Sequence, residues 1–427
     1  MSAEKMKIGR NDSEILRTLA DRIAMLAARP VEDEKRKLWY RHNALEPTRP
    51  LIFCDPENGW NEIITGDTMQ CEGFLAREWE KILRKDIFWG EEMKDDCVIE
   101  PYFNVPYLFD ESDWGMHETR IGGEDGGSYV WDSPLKSYED IDKLHFSVIT
   151  VDYKGTDTLV SIAHDIFDGI LTVKGYHHQA HKVFQEELSG NWWWSFGMTW
   201  TLANIRGLEQ IMYDCYDHPD ELHRLMGILR DGTLAKLEFL ESNGLLRLNN
   251  DGTYVGSGGF GWTTELPQED FDGTKVRTCD MWGFAESQET STWSPEMFAE
   301  YIFPYQLSVL ERFGLNCYGC CEPLDTRWEI IKNIPRLRRV SVSPWSNLQE
   351  MADKLEDNFI YSMKPTPVDL AVPVMEEEAV RSKLRKAMKI TRNCHVEIIM
   401  KDNETIGNNS QNVVNWCRIA REEADAL

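Results

Sequence analysis

The stretch 317–322 concentrates side chains that could do chemistry. Three of the ten cysteines, a tyrosine and a glutamate fall within these six positions. Gly319 permits a tight backbone turn, and Pro323 prevents a strand ladder from continuing. The sequence therefore predicts a buried strand that ends in reactive groups and leads into a helix. Barrel enzymes build their active sites from units of this kind.

Two interpretations fit the adjacent pair Cys320 and Cys321. Neighbouring residues of a regular strand point to opposite faces, but this restriction relaxes at a strand end, where both thiols could reach one ion. Thiolates favour Zn²⁺, and a glutamate such as Glu289 could complete the ligand set. The other interpretation is one buried cysteine packed behind the sheet and one free thiol. The residues alone leave both open.

Short apolar runs that alternate with helical segments set the predicted fold. The predicted strands are 97–105, 169–174, 245–249, 276–282, 315–320, 339–343, 359–363 and 395–400. The predicted helices include 11–30, 219–239, 347–355 and 376–388, and another that starts at Ser294-Pro295. Eight strand–helix units predict an α/β fold, a closed (β/α)8 TIM barrel over residues 95–427. Residues 1–94 are then an N-terminal helical layer packed on the barrel.

The competing fold is an open doubly wound sheet. Such a sheet would carry a Gly-x-Gly-x-x-Gly loop after an early strand, and the sequence has none there. The glycine-rich segment 256–261 precedes no predicted helix and is predicted to be a lid loop.

Active-site groups of a barrel lie just past the carboxyl ends of its strands. Any single polar residue there could instead cap a helix or bind a loop backbone. The candidates at these positions are His177, His178, Asp251, Trp282, Glu286, Glu289, Tyr318, Cys320, Cys321, Glu322, Ser343, Lys364 and Lys401.

Composition restricts the partners. The net charge of −27 argues against nucleic acid and anionic membranes, because both attract basic surfaces. No apolar run reaches the roughly 18 residues of a membrane span, and the first residues lack the apolar core of a signal peptide. We therefore expect a cytoplasmic protein whose cysteines are thiols or metal ligands. Its sixteen tryptophans fit either a large core or a pocket for flat apolar ligands.

Four segments resemble the uroporphyrinogen decarboxylase superfamily and occur in the same order along the chain. They are 133–140 (Ser-Pro-Leu-Lys-Ser-Tyr-Glu-Asp), 204–216 followed by Asp217-His218-Pro219, 294–298 (Ser-Pro-Glu-Met-Phe), and Phe313-Gly314-Leu315 before the cysteine-bearing strand end. The resemblance covers roughly residues 95–420. It implies a (β/α)8 barrel, in agreement with the strand count.

The superfamily has two main branches, and the resemblance favours one. Decarboxylases carry an Arg-Gln-Ala-Gly-Arg stretch near the N-terminus, which this sequence lacks. The other branch comprises corrinoid-dependent methyltransferases, and the chain resembles their O-demethylase components. This implies methyl transfer from a small methoxylated aromatic donor to the cobalt of a separate corrinoid protein, since the corrinoid-binding Asp-x-His-x-x-Gly sequence is absent here. A decarboxylase-like lyase acting on a carboxylated substrate is the alternative, and a homodimer is one expectation for the assembly.

The chain departs from the zinc motif of this branch. Methanol- and methylamine-type members bind zinc through His-x-Cys at strand five, often an acid after strand six, and a later cysteine. Here those positions hold Tyr318, Cys320, Ser343 and Lys364. Either a different ligand set holds zinc, with Cys320, Cys321 and Glu289 as the first candidates and Glu286 or His177 as further ones, or no catalytic zinc is bound.

The resemblance also implies roles at the site. A phenolate leaving group, with a pKa of about 10, departs more readily when it is protonated or metal-bound as it forms. We expect Tyr318, Glu286 or a metal on the cysteine pair to meet the ether oxygen. The residues expected to clamp the aromatic ring and orient its substituents are Trp282, Trp193, Asp251, His177 and His178.

Overall fold

A computed structural model describes residues 4–117, 119–122, 129–177 and 197–426. The helices are α1 Arg10–Ala27, α2 Pro30–Asn43, α3 Trp60–Ile63, α4 Phe74–Phe88, α5 Tyr153–Phe167, α6 Met198–Arg206, α7 Leu208–Asp217, α8 Pro219–Ser242, α9 Pro295–Tyr301, α10 Phe303–Leu310, α11 Trp328–Ile331, α12 Leu348–Leu355, α13 Glu377–Ile390 and α14 Gln411–Asp425. The strands are β1 Leu51–Cys54, β2 Tyr102–Pro106, β3 Phe109–Glu111, β4 Thr119–Gly122, β5 Tyr129–Asp132, β6 Ile149–Val151, β7 Thr172–His177, β8 Tyr254–Val255, β9 Gly259–Phe260, β10 Trp282–Ala285, β11 Leu315–Tyr318, β12 Leu337–Val342, β13 Ile360–Met363 and β14 His395–Met400.

The centre of the fold is a six-stranded parallel sheet with the order β1-β14-β13-β12-β11-β10. Its register aligns the strand ends, because Cys54 pairs with Met400 and Val342 pairs with Met363. Helices such as α12 and α13 lie between these strands in sequence, as parallel connections require. The predicted α/β class with a parallel sheet is confirmed.

The strand pairing differs from the predicted barrel. Strands β2 and β7 form a separate parallel pair, and no ladder joins that pair to the six-stranded sheet within the described ranges. The predicted strand 245–249 does not form. The Asn249 side chain, and not a strand backbone, makes the hydrogen bonds to the backbone of Trp282 in β10. Its amide accepts from the Trp282 N–H at 2.9 Å and donates to the Trp282 carbonyl at 3.1 Å.

The predicted strand 276–282 is also displaced along the chain. A 3-10 turn, Thr278–Asp280, occupies most of that range. The Asp280 carboxylate stabilises this turn by accepting from the backbone N–H groups of Gln268 and Arg277, both at 3.0 Å. The strand therefore begins only at Trp282, where the sequence analysis has it end.

Most predicted helices are confirmed near their predicted bounds. The long helix α8 starts at Pro219, and α9 starts at Pro295 with the Ser294 hydroxyl accepting from the Met297 N–H. The predicted helix 11–30 ends earlier, at Ala27, because Pro30 starts α2 instead of closing α1. Proline at the first helical position loses no hydrogen bond, which explains this preference.

Strand β1 lies within the predicted N-terminal layer, yet it is part of the central sheet. All four of its residues are buried, as expected for a parallel strand covered on both faces. The domain boundary at residue 94 stays a prediction.

The glycine-rich hairpin formed by β8 and β9 is buried against the sheet. A Cβ on Gly256 would lie 2.7 Å from the Cys317 Cβ, and one on Gly258 would lie 2.5 Å from Ile399 Cγ2. Both glycines also have positive φ, at 65° and 120°. The segment is glycine-rich because its backbone must approach the sheet closely, and the predicted lid loop is wrong.

A buried ionic network crosses the sheet beneath this hairpin. Glu397 of β14 accepts from Arg339 Nη2 of β12 at 3.2 Å and lies 3.2 Å from His42 Nε2 of α2. Burial alone would raise the pKa of Glu397, but Arg339 and His42 hold it well below its usual range. Burial lowers the pKa of His42. Glu397 and Arg339 therefore form a charged pair inside the fold.

No helix in the described part of the chain is long and apolar enough to cross a membrane.

Replacing Glu397 by glutamine should destabilise the fold by about 3–5 kcal/mol, because Arg339 would remain buried without its counter-charge. Denaturant unfolding measures this loss. Since the folded pKa of Glu397 lies below its unfolded value, its stabilisation is present above about pH 4.3 and declines as the pH falls.

The matched control is Glu422→Gln at the surface, where Glu422 meets Arg381 and Arg418. Its free energy of unfolding should change by less than about 1 kcal/mol. Equal stabilities for the two variants would contradict a stabilising role for the buried pair.

Candidate functional site

Five polar side chains follow the carboxyl ends of neighbouring strands of the central sheet. They are Glu286 after β10, Cys320 after β11, Ser343 after β12, Lys364 after β13 and Lys401 after β14. Their relative exposures are 6%, 4%, 0%, 3% and 4%. Because the strands are parallel and in register, these groups collect at one edge of the sheet, where ligands bind in parallel-sheet enzymes. We call this set the strand-end site.

The thiol of Cys320 lies among three possible hydrogen-bond donors. Ser257 Oγ, at the tip of the buried hairpin, is 3.4 Å from Cys320 Sγ, and Lys401 Nζ is 3.5 Å away. Cys321 Sγ is also 3.5 Å away. The hydrogen bond from Cys321 and the positive charge of Lys401 lower the pKa of Cys320 to about 6, against the opposing effect of burial. Cys320 is therefore a thiolate near neutral pH.

The neighbouring thiol stays protonated. Its hydrogen bond to Cys320 and its burial raise the pKa of Cys321. Asp402 Oδ2 lies 3.0 Å from Cys321 Sγ, so the single thiol proton has two acceptors. The adjacent cysteines thus hold one negative charge and one proton between them.

Two carboxyl groups, Glu286 and Glu289, meet at the hydroxyl of Thr199 of α6. Thr199 Oγ1 lies 2.8 Å from Glu289 Oε2 and 3.2 Å from Glu286 Oε1. Burial and the charges of Glu289 and Glu322 raise the pKa of Glu286 well above its usual range. Burial also raises the pKa of Glu289. Glu286 therefore holds its proton to a higher pH than an ordinary glutamic acid does.

Glu322 fastens the ends of β10 and β11 to one another. Its carboxylate accepts from the Ser287 N–H at 2.8 Å and from the Cys320 N–H at 2.9 Å. Arg327 donates to Ser287 Oγ at 2.7 Å and is fully enclosed. Glu322 thereby fixes the backbone next to both Glu286 and Cys320.

The structure places Tyr318 against the helical layer. Its hydroxyl donates to Gln306 Oε1 of α10 at 2.8 Å, and its ring packs on Phe298 of α9. Burial raises the pKa of Tyr318 well above its usual range, and the charge of Glu322 adds to this. The predicted catalytic role of Tyr318 stays a prediction, with its hydroxyl committed to Gln306.

Lys364 is buried, and the charges of Cys320 and Lys401 act on it. Its ammonium donates to the Ser362 hydroxyl at 2.6 Å and to the Ser362 carbonyl at 3.2 Å. Burial lowers the pKa of Lys364 to about 8, although the charge of Glu397 opposes this. Lys364 is still mostly charged near neutral pH.

The predicted ring-binding residues do not all lie at this edge. Trp282 is fully buried at the start of β10, where its Nε1 donates to the Gly261 carbonyl at 3.0 Å. Asp251 lies 3.3 Å from Lys174 of β7 and accepts from the Thr253 N–H at 3.0 Å. His177 ends β7. His178 and Trp193 lie outside the described residues.

Two contributors to the site were missed by the sequence analysis. Thr199 and Ser257 reach it from outside the strands, on α6 and on the buried hairpin. Neither carried a usable signal in the sequence. Trp345, three residues after the end of β12, is 79% exposed.

The strand-end side chains do not present a metal-binding set. Across the ranges that the structure describes, no group of three or more His, Cys, Asp or Glu side chains is placed to hold a metal ion. An ammonium group stands beside Cys320 where a cation would bind, and Glu289 is directed to Thr199. Zinc on Cys320, Cys321 and Glu289 stays a prediction. One zinc per chain that a Cys320→Ala/Cys321→Ala variant loses would confirm it, and a metal-free wild type would refute it.

No family model matches the sequence, and neither does any curated protein. Among solved structures, a methyltransferase from Methanosarcina mazei is similar with a TM-score of 0.49 and 10% sequence identity, over 91% of this chain and 97% of that chain.

Removing the Lys401 ammonium should raise the pKa of Cys320. The ultraviolet absorbance of the Cys320 thiolate is obtained by subtracting the spectrum of Cys320→Ser from that of wild type, and it should titrate near pH 6. The difference between Lys401→Met and Lys401→Met/Cys320→Ser should titrate at higher pH, because the positive charge that favours the thiolate is gone. An unchanged midpoint in that background would contradict the assigned contact.

The matched control for this titration is Cys394→Ser. Burial raises the pKa of Cys394 to about 11, so its difference spectrum should show no thiolate near pH 6.

Proposed function

We propose that the chain is a methyltransferase that moves a methyl group from a methoxylated aromatic to the cobalt of a separate corrinoid protein. The observation that carries this proposal is Glu286, a buried carboxyl group at the strand-end site whose pKa is raised by burial and by the charges of Glu289 and Glu322. Cleavage of an aryl methyl ether needs an acid near the ether oxygen, because the phenolate that leaves is basic. The resemblance to O-demethylase components agrees with this chemistry.

Glu286 would act as the general acid. A cobalt(I) corrinoid supplies the nucleophile that accepts the methyl group. As the bond between the methyl carbon and the ether oxygen breaks, Glu286 gives its proton to that oxygen and the product leaves as a phenol. The raised pKa of Glu286 lies closer to the phenol pKa of about 10 than the pKa of an ordinary glutamic acid does. This closer match favours proton transfer to the leaving oxygen in the transition state.

The neighbours of Glu286 prepare it for this role. Burial and the charges of Glu289 and Glu322 oppose its ionisation, which favours the protonated form that the proposal requires. Thr199 can hydrogen-bond the carboxylate that forms, since its hydroxyl contacts Glu286 Oε1. Glu322 holds the backbone at Ser287 and Cys320. After the product leaves, solvent returns the proton to Glu286.

The corrinoid protein would dock over the carboxyl edge of the sheet, because cobalt must reach the methyl carbon there. Three exposed apolar side chains follow the ends of β12 and β13, namely Trp345, Val368 and Val374, which are 79%, 67% and 75% exposed. Exposed apolar groups next to an active site are typical of a protein contact. In this proposal β2 and β7 complete a closed barrel around the site.

A lyase acting on a carboxylated substrate is the second candidate, favoured by the buried ammonium groups of Lys364 and Lys401. Such a lyase would release one CO2 per substrate without any corrinoid. It would also not need an exposed docking surface.

Replacing Glu286 by glutamine should lower kcat for methyl transfer by about 10²–10⁴, because the leaving oxygen loses its acid. The loss should shrink for a nitro-substituted methoxybenzene, whose phenolate needs little protonation. Rates with the two donors and a cobalt(I) corrinoid acceptor measure this difference. The control Glu329→Gln, at a side chain that is 73% exposed, should leave both rates unchanged. Equal losses with both donors would contradict the acid role.

Replacing Trp345 by alanine should raise the KM for the corrinoid protein about tenfold, which corresponds to about 1.4 kcal/mol. The KM for the aromatic donor should stay the same. Tyr216→Ala on α7 is the matched control, since Tyr216 is 78% exposed. A larger effect from Tyr216→Ala would place the contact on α7 instead.

A further inference from the structure

Two free thiols meet where strand β11 ends. The strand stops at Tyr318, and Cys320 and Cys321 lie in the bend that follows, so neither is held to the alternating faces of a strand. Gly319, with a φ of 92°, makes the turn into this bend. The two sulfurs lie 3.5 Å apart. Rotation of the two side chains can close this gap to the S–S bond length of about 2.05 Å.

The contacts of the two sulfurs give them different roles. Cys320 Sγ lies 3.5 Å from the Lys401 ammonium and 3.4 Å from the Ser257 hydroxyl, and both groups stabilise a sulfur anion. Cys321 Sγ donates to Asp402 Oδ2 at 3.0 Å, so a carboxylate is placed to take its proton. Cys320 is therefore the nucleophilic sulfur, and Cys321 is the thiol that can react with it in turn.

Solvent reaches this pair from the side of Asp402. The Asp402 side chain is 41% exposed, and Cys321, which contacts it, is half-buried. Cys320 itself is 4% exposed. An oxidant must therefore be small to contact the Cys320 sulfur, and hydrogen peroxide meets this condition.

Other cysteines in the fold lack this combination of features. Cys54 and Cys417 share a hydrogen bond, but they are 0% and 1% exposed, and burial raises the pKa of both. Cys394 is half-buried, and its sulfur contacts the Ala352 carbonyl instead of a second thiol. Neither site combines solvent access with a partner thiol.

We propose that Cys320 and Cys321 are a reversible oxidation site, at which a peroxide converts the two thiols to one disulfide. The Cys320 thiolate attacks a peroxide oxygen, the O–O bond breaks, and the hydroxide that leaves is protonated by solvent. Cys321 then attacks the sulfenic acid formed on Cys320, and its proton passes through Asp402 to the departing oxygen. An S–S bond forms, the S–O bond breaks and water leaves. The two sulfurs lose two electrons, which the peroxide gains.

The spacing of the two residues makes such a disulfide easy to reduce. Adjacent Cα atoms lie about 3.8 Å apart across a trans peptide bond, below the roughly 4.4–6.8 Å that disulfides prefer. The bond is therefore strained, and strained disulfides are reduced more readily than structural ones. Oxidation also replaces the anion beside Lys401 by a neutral disulfide, which changes the charge of the strand-end site.

Thiol counting on the full chain tests this site. The protein is exposed briefly to a small excess of hydrogen peroxide, then unfolded, alkylated and digested, and mass spectrometry reads each cysteine peptide. Wild type should lose two of its ten thiols, both from the peptide that carries Cys320 and Cys321. That peptide should be lighter by two hydrogens, and dithiothreitol should restore it. The pair should react at least about tenfold faster than Cys394.

Single serine variants separate the two roles. Cys321→Ser should stop at a sulfenic acid on Cys320, which dimedone traps. Cys320→Ser should lose no thiol during the same exposure. The matched control is Cys394→Ser, which should lose the same two thiols as wild type because Cys394 takes no part.

Oxidation of Cys394 while Cys320 and Cys321 stay free would overturn the inference. A sulfinic acid on Cys320 of wild type, with Cys321 still alkylated, would also overturn it, as would a bound zinc ion that protects both sulfurs. None of these readouts involves methyl transfer, so their outcome is independent of the proposed function.

Discussion

The packing at the centre of the molecule depends on the contacts of one buried side chain, Arg339. From β12 it reaches Glu397 of β14, the sulfur of Cys317 of β11 and the Phe260 carbonyl of the buried hairpin. It also donates to Asn43 of α2 and lies over the ring of Trp282. A guanidinium group can satisfy so many partners because it has five donors in a rigid plane. One buried charge thereby joins the sheet, the hairpin and the N-terminal helices.

This central packing positions the side chains of the strand-end site. The hairpin is fixed against the sheet by glycines that admit no Cβ, and its tip brings Ser257 to Cys320 and Lys401. The strand-end site then combines Glu286, a carboxyl group with a raised pKa, with the Cys320 thiol, whose pKa is lowered, and with the buried amino groups of Lys364 and Lys401. Each of these pKa shifts follows from burial together with specific neighbours. Perturbed groups of opposite kinds, gathered at one edge of a parallel sheet, are typical of an active site.

The sequence predicted the strands whose pairing follows local pattern. The fully apolar or alternating runs at β11, β12, β13 and β14 lie within a few residues of their predicted bounds. It failed where a side chain replaces the backbone, as Asn249 does beside Trp282. It also failed at the turn Thr278–Asp280, where the Asp280 carboxylate accepts from the backbone N–H of Arg277 and from that of the more distant Gln268. The segment 256–261 was predicted to be a lid loop but belongs to a buried hairpin. A glycine-rich pattern alone does not distinguish an exposed loop from a backbone that packs closely against a sheet. Glu286, Cys320, Lys364 and Lys401 were found from strand order, whereas Thr199 and Ser257 depend on tertiary packing.

The most direct test of methyl transfer uses a methoxybenzoate with a deuterated methyl group and a cobalt(I) corrinoid protein. Mass spectrometry of both products follows the label. We predict that labelled methyl on the corrinoid and free hydroxybenzoate appear in equal amounts, with no loss of the carboxyl group. Release of CO2 without corrinoid, and no label on the corrinoid, would contradict a methyltransferase and identify the chain as a lyase.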